Sequence, residues 1–228
     1  MTGGPGAQAA FAATLVDEWA RAGIRHAVIA PGSRSTPLTL ALAADGRLRL
    51  HIVLDERSAG FVALGLGLGA GRPAVVVTTS GTAAVELHPA VVEAHHAGVA
   101  LIAVTADRPP ELQGVGAPQT VEQRDLFGPA VRWADAPGVA DWDSAPSWRS
   151  LGSRSVWEST SGPRGPGPVH LNLAFREPLV GQPAGSPPGR AGGRPWHEAG
   201  PVEAAAGPPD VVDRLAHRGR GARGLIVA

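Results

Sequence analysis

The 228-residue sequence contains no cysteine, which excludes disulfides, thiolate metal sites and cysteine nucleophiles. It contains no lysine either, since all 20 basic residues are arginine. Schiff-base chemistry and a Walker-type phosphate lysine are excluded with it. Neither sign of charge is in surplus: 20 acidic residues balance the arginines and the formal charge is zero. Proteins that track the phosphates of nucleic acid carry a basic excess, so the composition argues against a nucleic-acid partner. No apolar run reaches the roughly 18 residues of a membrane span. The N-terminus shows no basic segment leading into an apolar core, so no signal peptide is read. A cytoplasmic location is the expectation.

What is present has two textures. Up to about Val180, apolar runs alternate with amphipathic stretches. Strands are expected at His26–Ala30, Leu48–Leu54, Ala74–Thr79, Ala100–Thr105, a short one near Val131–Trp133, and Val169–Leu173. Several are β-branched runs without polar alternation, the pattern of strands covered on both faces. Helices are expected at about Ala9–Ala22, Thr36–Ala44, Ser58–Ala70, Thr82–His96 and Trp148–Ser159. This rhythm predicts an α/β fold, a doubly wound parallel sheet flanked by helices. Nearly half of residues 181–209 are Pro or Gly, which is linker composition. A short helix over Val211–His217 and a strand-like run at Gly224–Ala228 follow. The expected organisation is a domain over residues 1–180, a linker over 181–221 and the start of a truncated second domain at 222–228.

In doubly wound sheets, ligands bind beyond the carboxyl ends of the strands, so the loops there are the candidates. Pro31-Gly-Ser-Arg-Ser-Thr-Pro37 follows the first strand. Ser35 or Thr36 can cap the next helix, with Pro37 in its first turn. Capping leaves Arg34 unexplained, a planar cation beside free backbone amides, and anion binding stands as the other reading. Asp55 and Glu56 end the second strand. They suit a helix dipole, yet an acid backed by apolar residues is also where proton transfer is carried out. Thr79-Ser80-Gly81-Thr82 offers hydroxyls and a permissive backbone, with capping as the alternative. Arg108 follows the fourth strand and precedes two prolines that fix its loop.

Two patterns are set aside. The glycines of Gly65–Gly71 close a helix and precede a strand, the reverse of a dinucleotide fingerprint. His95 and His96 point in different directions from a helix, and no carboxylate sits at i+3 or i+4 from either.

The strings APGSRSTPL, DERSAGF, VVVTTSGTA, TADRPPEL and GPVHLNLAFREPL occur in order from Ala30 to Leu179. Together they closely resemble the N-terminal part of the MenD family, the 2-succinyl-5-enolpyruvyl-6-hydroxy-3-cyclohexene-1-carboxylate synthases of menaquinone biosynthesis. The resemblance implies a pyrimidine-binding domain of a thiamine-diphosphate enzyme, working as a homodimer or homotetramer on 2-oxoglutarate and isochorismate. By the same resemblance Glu56 is the catalytic acid that shares a proton with the cofactor's aminopyrimidine ring. Pro31, Thr79, Ser80 and Gly81 lie against that cofactor, and Ser33, Arg34, Arg108 and Gln119 line the substrate pocket. Both substrates are dicarboxylates, for which arginine forks are chemically apt. The family usually writes Gly-Ala-Asn-Gln-Thr where this chain has Gly116-Ala-Pro-Gln-Thr120. The Gly-Asp-Gly motif that holds the diphosphate with magnesium or manganese has no counterpart, so no metal ligand is assigned and this chain alone is expected to be inactive. A different thiamine enzyme that condenses 2-oxo acids, and a non-catalytic carboxylate-binding domain, are the alternatives.

Overall fold

The computed structural model describes residues Gly3–Glu198. The expected helix at Val211–His217, the run at Gly224–Ala228 and the end of the linker lie outside the described residues.

Six strands form one parallel sheet in the order β2-β1-β3-β4-β6-β5. They are β1 (His26–Ile29), β2 (Arg49–Ile52), β3 (Ala74–Thr78), β4 (Leu101–Asp107), β5 (Trp133–Val139) and β6 (Pro168–Ala174). The helices are α1 (Pro5–Arg21), α2 (Thr36–Asp45), α3 (Glu56–Ala70), α4 (Thr82–Val85), α5 (His88–Ala97) and α6 (Ala145–Thr160). The alternation of strand side chains sorts two cores. Ile29, Val75, Val77, Ile102 and Val104 face α1, α2 and α6 with Phe11, Leu15, Trp19 and Trp148. Val28, Val76, Leu101 and Ala103 face α3 and α5 with Ala63, Leu87 and Val91. Every residue of β3, β4 and β6 is buried, as expected of strands covered on both sides.

The chain leaves β1 outward to β2 through α2, then returns across to β3 through α3. The switch in direction opens a crevice between the carboxyl ends of β1 and β3. Gly32 sits in it: a Cβ there would lie 2.4 Å from the Thr79 Cβ, so only glycine lets the two loops touch.

Two expectations need correction. The fifth strand is Trp133–Val139, not a short run near Val131–Trp133. It is an edge strand with Asp135, Pro137 and a register shift between Asp135 and Gly138, so it carries no alternation to read. The helix expected over Thr82–His96 is two, separated at Glu86–Leu87, with Pro89 in the first turn of the second. The glycines at 65–69 do lie inside α3, which Gly71 closes in the left-handed conformation (φ 61°) before β3.

Residues 181–198 run along α1 and α6. Arg149 donates to Pro187 O and to Glu18 Oε1 and Asp17 Oδ2, while Trp196 N–H donates to the other Glu18 oxygen. Burial would raise the Asp17 pKa, but hydrogen bonds from Arg47, Arg149 and Arg21 outweigh it and hold the carboxyl at about 2. No described helix is long and apolar enough to cross a membrane.

Candidate active site at the carboxyl edge of the sheet

The loops after β1, β2, β3, β4 and β6 meet at one edge. Ala30 N–H donates to Val77 O and Val53 N–H to Ile29 O, so the chain stays paired for one residue past each strand before turning away. Pro31 and Ser33 are exposed, whereas Arg34 is buried in a 3-10 turn over Ser33–Ser35. The expected capping by Ser35 or Thr36 is not found. Ser35 Oγ instead donates back to Gly32 O at 2.9 Å, which closes the turn, and no side chain caps α2. Arg34 is thus held by the turn and reaches across the sheet. Its Nη1 donates to Phe175 O at 2.9 Å, and Nη2 to Glu177 Oε1 at 3.2 Å. Burial, and after it the charge of Arg108, pull the Arg34 pKa below the usual guanidinium value, while Glu177 and Asp107 oppose them.

The acidic pair after β2 divides its work. Asp55 is the N-cap of α3 and accepts from Ser58 N–H at 2.7 Å, and hydrogen bonds from Ser58 hold its carboxyl below the ordinary value. Glu56 is the first residue of α3, half-buried, and its carboxylate makes no hydrogen bond or ion pair with the described residues. Capping therefore accounts for Asp55 and leaves Glu56 free.

Thr79 and Ser80 are buried beside Gly81, whose φ of 84° is a conformation that favours glycine. No side chain caps α4, which corrects the capping expectation for this loop. Gly81 N–H instead donates to Gln123 Oε1 at 2.9 Å. Gln119 lies over the same loop: Ser80 Oγ donates to Gln119 O and Gln119 Nε2 to Ser80 O, both at 3.1 Å. Arg108 Nη2 donates to Pro118 O. The proline that departs from the family pattern thus leaves Gln119 against Ser80, and its own carbonyl joins the β4 loop.

Below these loops lies a network that sequence reasoning missed. Gln123 is fully buried and donates to Ala106 O and Asn172 Oδ1 while accepting from Gly81. Thr105 Oγ1 donates to Asn172 Oδ1, so in the 2.8 Å contact with Thr105 the donor is His170 Nε2. Burial holds the His170 pKa down at about 4. Asn172 Nδ2 donates to Asp107, whose own pKa burial raises against the hydrogen bonds from Asn172 and from Arg108 N–H. Asp107 stands next to Arg108 in a string already singled out, and Glu177 falls inside another. Gln123 carries no local signal.

Edge by edge, the arrangement can bind a carboxylate at Arg34 and Arg108, present a backbone cradle at residues 79–81 and supply an uncommitted acid at Glu56. Gly32 and Gly81 let these loops close on one another, since a Cβ at Gly32 would strike Thr79 and one at Gly81 would strike Gln119. Among the described residues no three His, Asp or Glu side chains gather to hold a metal ion.

The family model of the thiamine pyrophosphate enzyme N-terminal TPP binding domain matches residues 9–126. The 2-succinyl-5-enolpyruvyl-6-hydroxy-3-cyclohexene-1-carboxylate synthase of Thermobifida fusca is 56% identical over 191 residues, which is 83% of this chain and 33% of that protein. The synthase of the same name from Saccharopolyspora erythraea is 48% identical over 229 residues, 96% of this chain and 39% of that protein. The chain therefore spans about a third of the length of these curated relatives.

Proposed function

Since the chain belongs to the thiamine pyrophosphate enzymes, as their N-terminal TPP binding domain, we propose that it is the pyrimidine-binding part of a cytoplasmic synthase. That enzyme decarboxylates 2-oxoglutarate and adds the succinyl unit to isochorismate. The observation that carries the reading is the meeting, at one sheet edge, of an unengaged acid, the glycine turn at Gly81 and two arginines.

Thiamine diphosphate, when bound with Mg2+ or Mn2+, supplies a carbon nucleophile able to hold the electrons left by decarboxylation. The chain's own residues prepare and orient. Glu56 holds a proton at the ring nitrogen of the pyrimidine, a task that suits a carboxyl with no competing partner. Pro31, Thr79, Ser80 and Gly81 border the ring. Ser33, Arg34, Arg108 and Gln119 receive the carboxylates and polar groups of the substrates, with the guanidinium groups providing charge and direction. The metal ligands belong to residues beyond those described.

A homodimer or homotetramer completes the site in this reading. In support, apolar side chains stand in water beside Glu56: Leu54 is 81% exposed and Ile52 60%, with Phe61, Val62 and Leu68 exposed along α3. The test is an assay of the full-length protein with thiamine diphosphate, Mg2+, 2-oxoglutarate and isochorismate. Carbon dioxide release coupled to formation of the cyclohexene-carboxylate product is expected. Decarboxylation of other 2-oxo acids with no use of isochorismate would replace this reading with that of a different carboligase.

A further inference from the structure

We propose that Glu177 is a built-in occupant of the Arg34 carboxylate subsite, displaced when a carboxylate-bearing substrate enters. The inference rests on the reading of Arg34 as a substrate-binding residue.

The guanidinium of Arg34 has two edges. Its Nη1 is anchored to Phe175 O at 2.9 Å, which fixes the plane of the group. The other edge, made by Nε and Nη2, is the side-on fork that takes both oxygens of a carboxylate in parallel bonds. That fork is half filled. Glu177 Oε1 accepts from Nη2 at 3.2 Å, while Nε is buried and has no hydrogen-bond partner among the described residues. The adjacent residue displays a filled fork for comparison: Arg176 Nε and Nη2 donate to the two oxygens of Glu111 at 2.5 and 2.7 Å. Glu177 therefore holds its arginine through one long bond where a matched carboxylate would make two short ones.

The two partners also differ in freedom. The Arg34 side chain is 5% exposed, that of Glu177 73%. A fixed buried cation paired with a solvated acid is an interaction that an incoming anion can exchange, because the departing carboxylate returns to water with little desolvation to undo. Arg108 lies close enough for its charge to bear on Arg34, so the local field favours an anion on this edge whichever carboxylate supplies it. Glu177 keeps the cation partly neutralised while the subsite is empty. It also sets a threshold that only a carboxylate able to span Nε and Nη2 passes.

The test uses the full-length protein and the variants Glu177→Gln, Arg34→Met and the double substitution. Glutamine keeps the size and one acceptor but not the charge. The expected result for Glu177→Gln is a KM about three- to tenfold lower for one of the two dicarboxylate substrates, with kcat within about twofold of the parent. Calorimetric binding of succinate, a dicarboxylate that cannot react, is expected to tighten by a similar factor. In the Arg34→Met background both effects are expected to vanish. A raised KM in Glu177→Gln would make Glu177 a residue that positions Arg34, and unchanged KM and succinate binding would make it a bystander; either overturns the proposal. If Arg34→Met alone leaves the KM of both substrates unchanged, the underlying reading of Arg34 fails instead.

Discussion

Beneath the loops of β4 and β6, Thr105, Asp107, Gln123, His170 and Asn172 satisfy one another in a buried network. At the end of β2, Glu56 has no partner among the described residues, and Leu54 and Ile52 stand in water. One sheet edge thus holds a finished region and an unfinished one. A buried polar group left unpaired is expensive, so the inner region must be completed by the chain itself. β2 is an edge strand whose groups face solvent, and there the chain can leave an acid uncommitted at little cost to folding. The contrast separates what substitutions should do: inner changes should cost stability, outer changes should cost activity or assembly.

The sharpest way to break this contrast is at Glu56. In the full-length protein, Glu56→Gln is expected to lower turnover by about 100- to 10,000-fold, the usual contribution of a positioned acid or base. The melting temperature is expected to stay within a degree or two, since the carboxylate makes no bond that folding depends on. Steady-state kinetics and calorimetry on one preparation read both quantities. Near-parental turnover would remove Glu56 from the chemistry, and a large loss of stability would show that the β2 end is as finished as its neighbours.

The inner region should respond to acid. His170 is neutral in the fold with a pKa near 4, against 6.5 for an unhindered histidine. Below pH 6.5 the unfolded chain takes up a proton that the folded chain refuses until about pH 4. Stability is therefore lost across that window as pH falls, by up to about 3 kcal/mol from this group. Asp107, with its raised pKa, works in the opposite direction at the acid end of the range. His170→Gln retains a donor toward Thr105 and removes the titration. It is expected to flatten the pH dependence of denaturant midpoints between pH 6.5 and 4. An equally steep profile in the variant would place the acid sensitivity elsewhere.

A smaller effect is expected at Gln123. Gln123→Met is close in volume but leaves Gly81 N–H buried without an acceptor, at a cost of about 1–3 kcal/mol. Urea denaturation measures it. A loss below that range would mean that Gly81 finds another acceptor.

Which of these features the sequence reveals follows from how far apart their causes lie along the chain. β1, β3, β4 and β6 are legible because strands covered on both faces are mostly apolar, a property of four to seven adjacent residues. β5 is not, because an edge strand with Asp135, Pro137 and a bulge is shaped by its neighbour β6. Arg34 and Glu56 stand out as charges at the ends of apolar runs. Gln123 sits in the polar stretch Thr120-Val-Glu-Gln-Arg-Asp125, and its importance comes from partners 42, 17 and 49 residues away. The pairing of Arg34 with Glu177 spans 143 residues. Caps are illegible for a related reason: Ser35 and Ser80 are the right residue types, but a backbone turn and Gln119 engage their hydroxyls.

The smallest expected change in stability tests the outer region from its other side. Leu54 is 81% exposed, so Leu54→Ser removes almost no burial within the chain and should alter its stability by no more than about 0.5 kcal/mol. If the β2 end and α3 meet a neighbouring copy, the same substitution places a hydroxyl where an apolar contact forms, and association should weaken several-fold in sedimentation experiments on the full-length protein. Stability and assembly would then respond in opposite proportion to their response at Gln123. Unchanged association would mean that this apolar edge is not where copies meet, and the free state of Glu56 would need an explanation other than a partner surface.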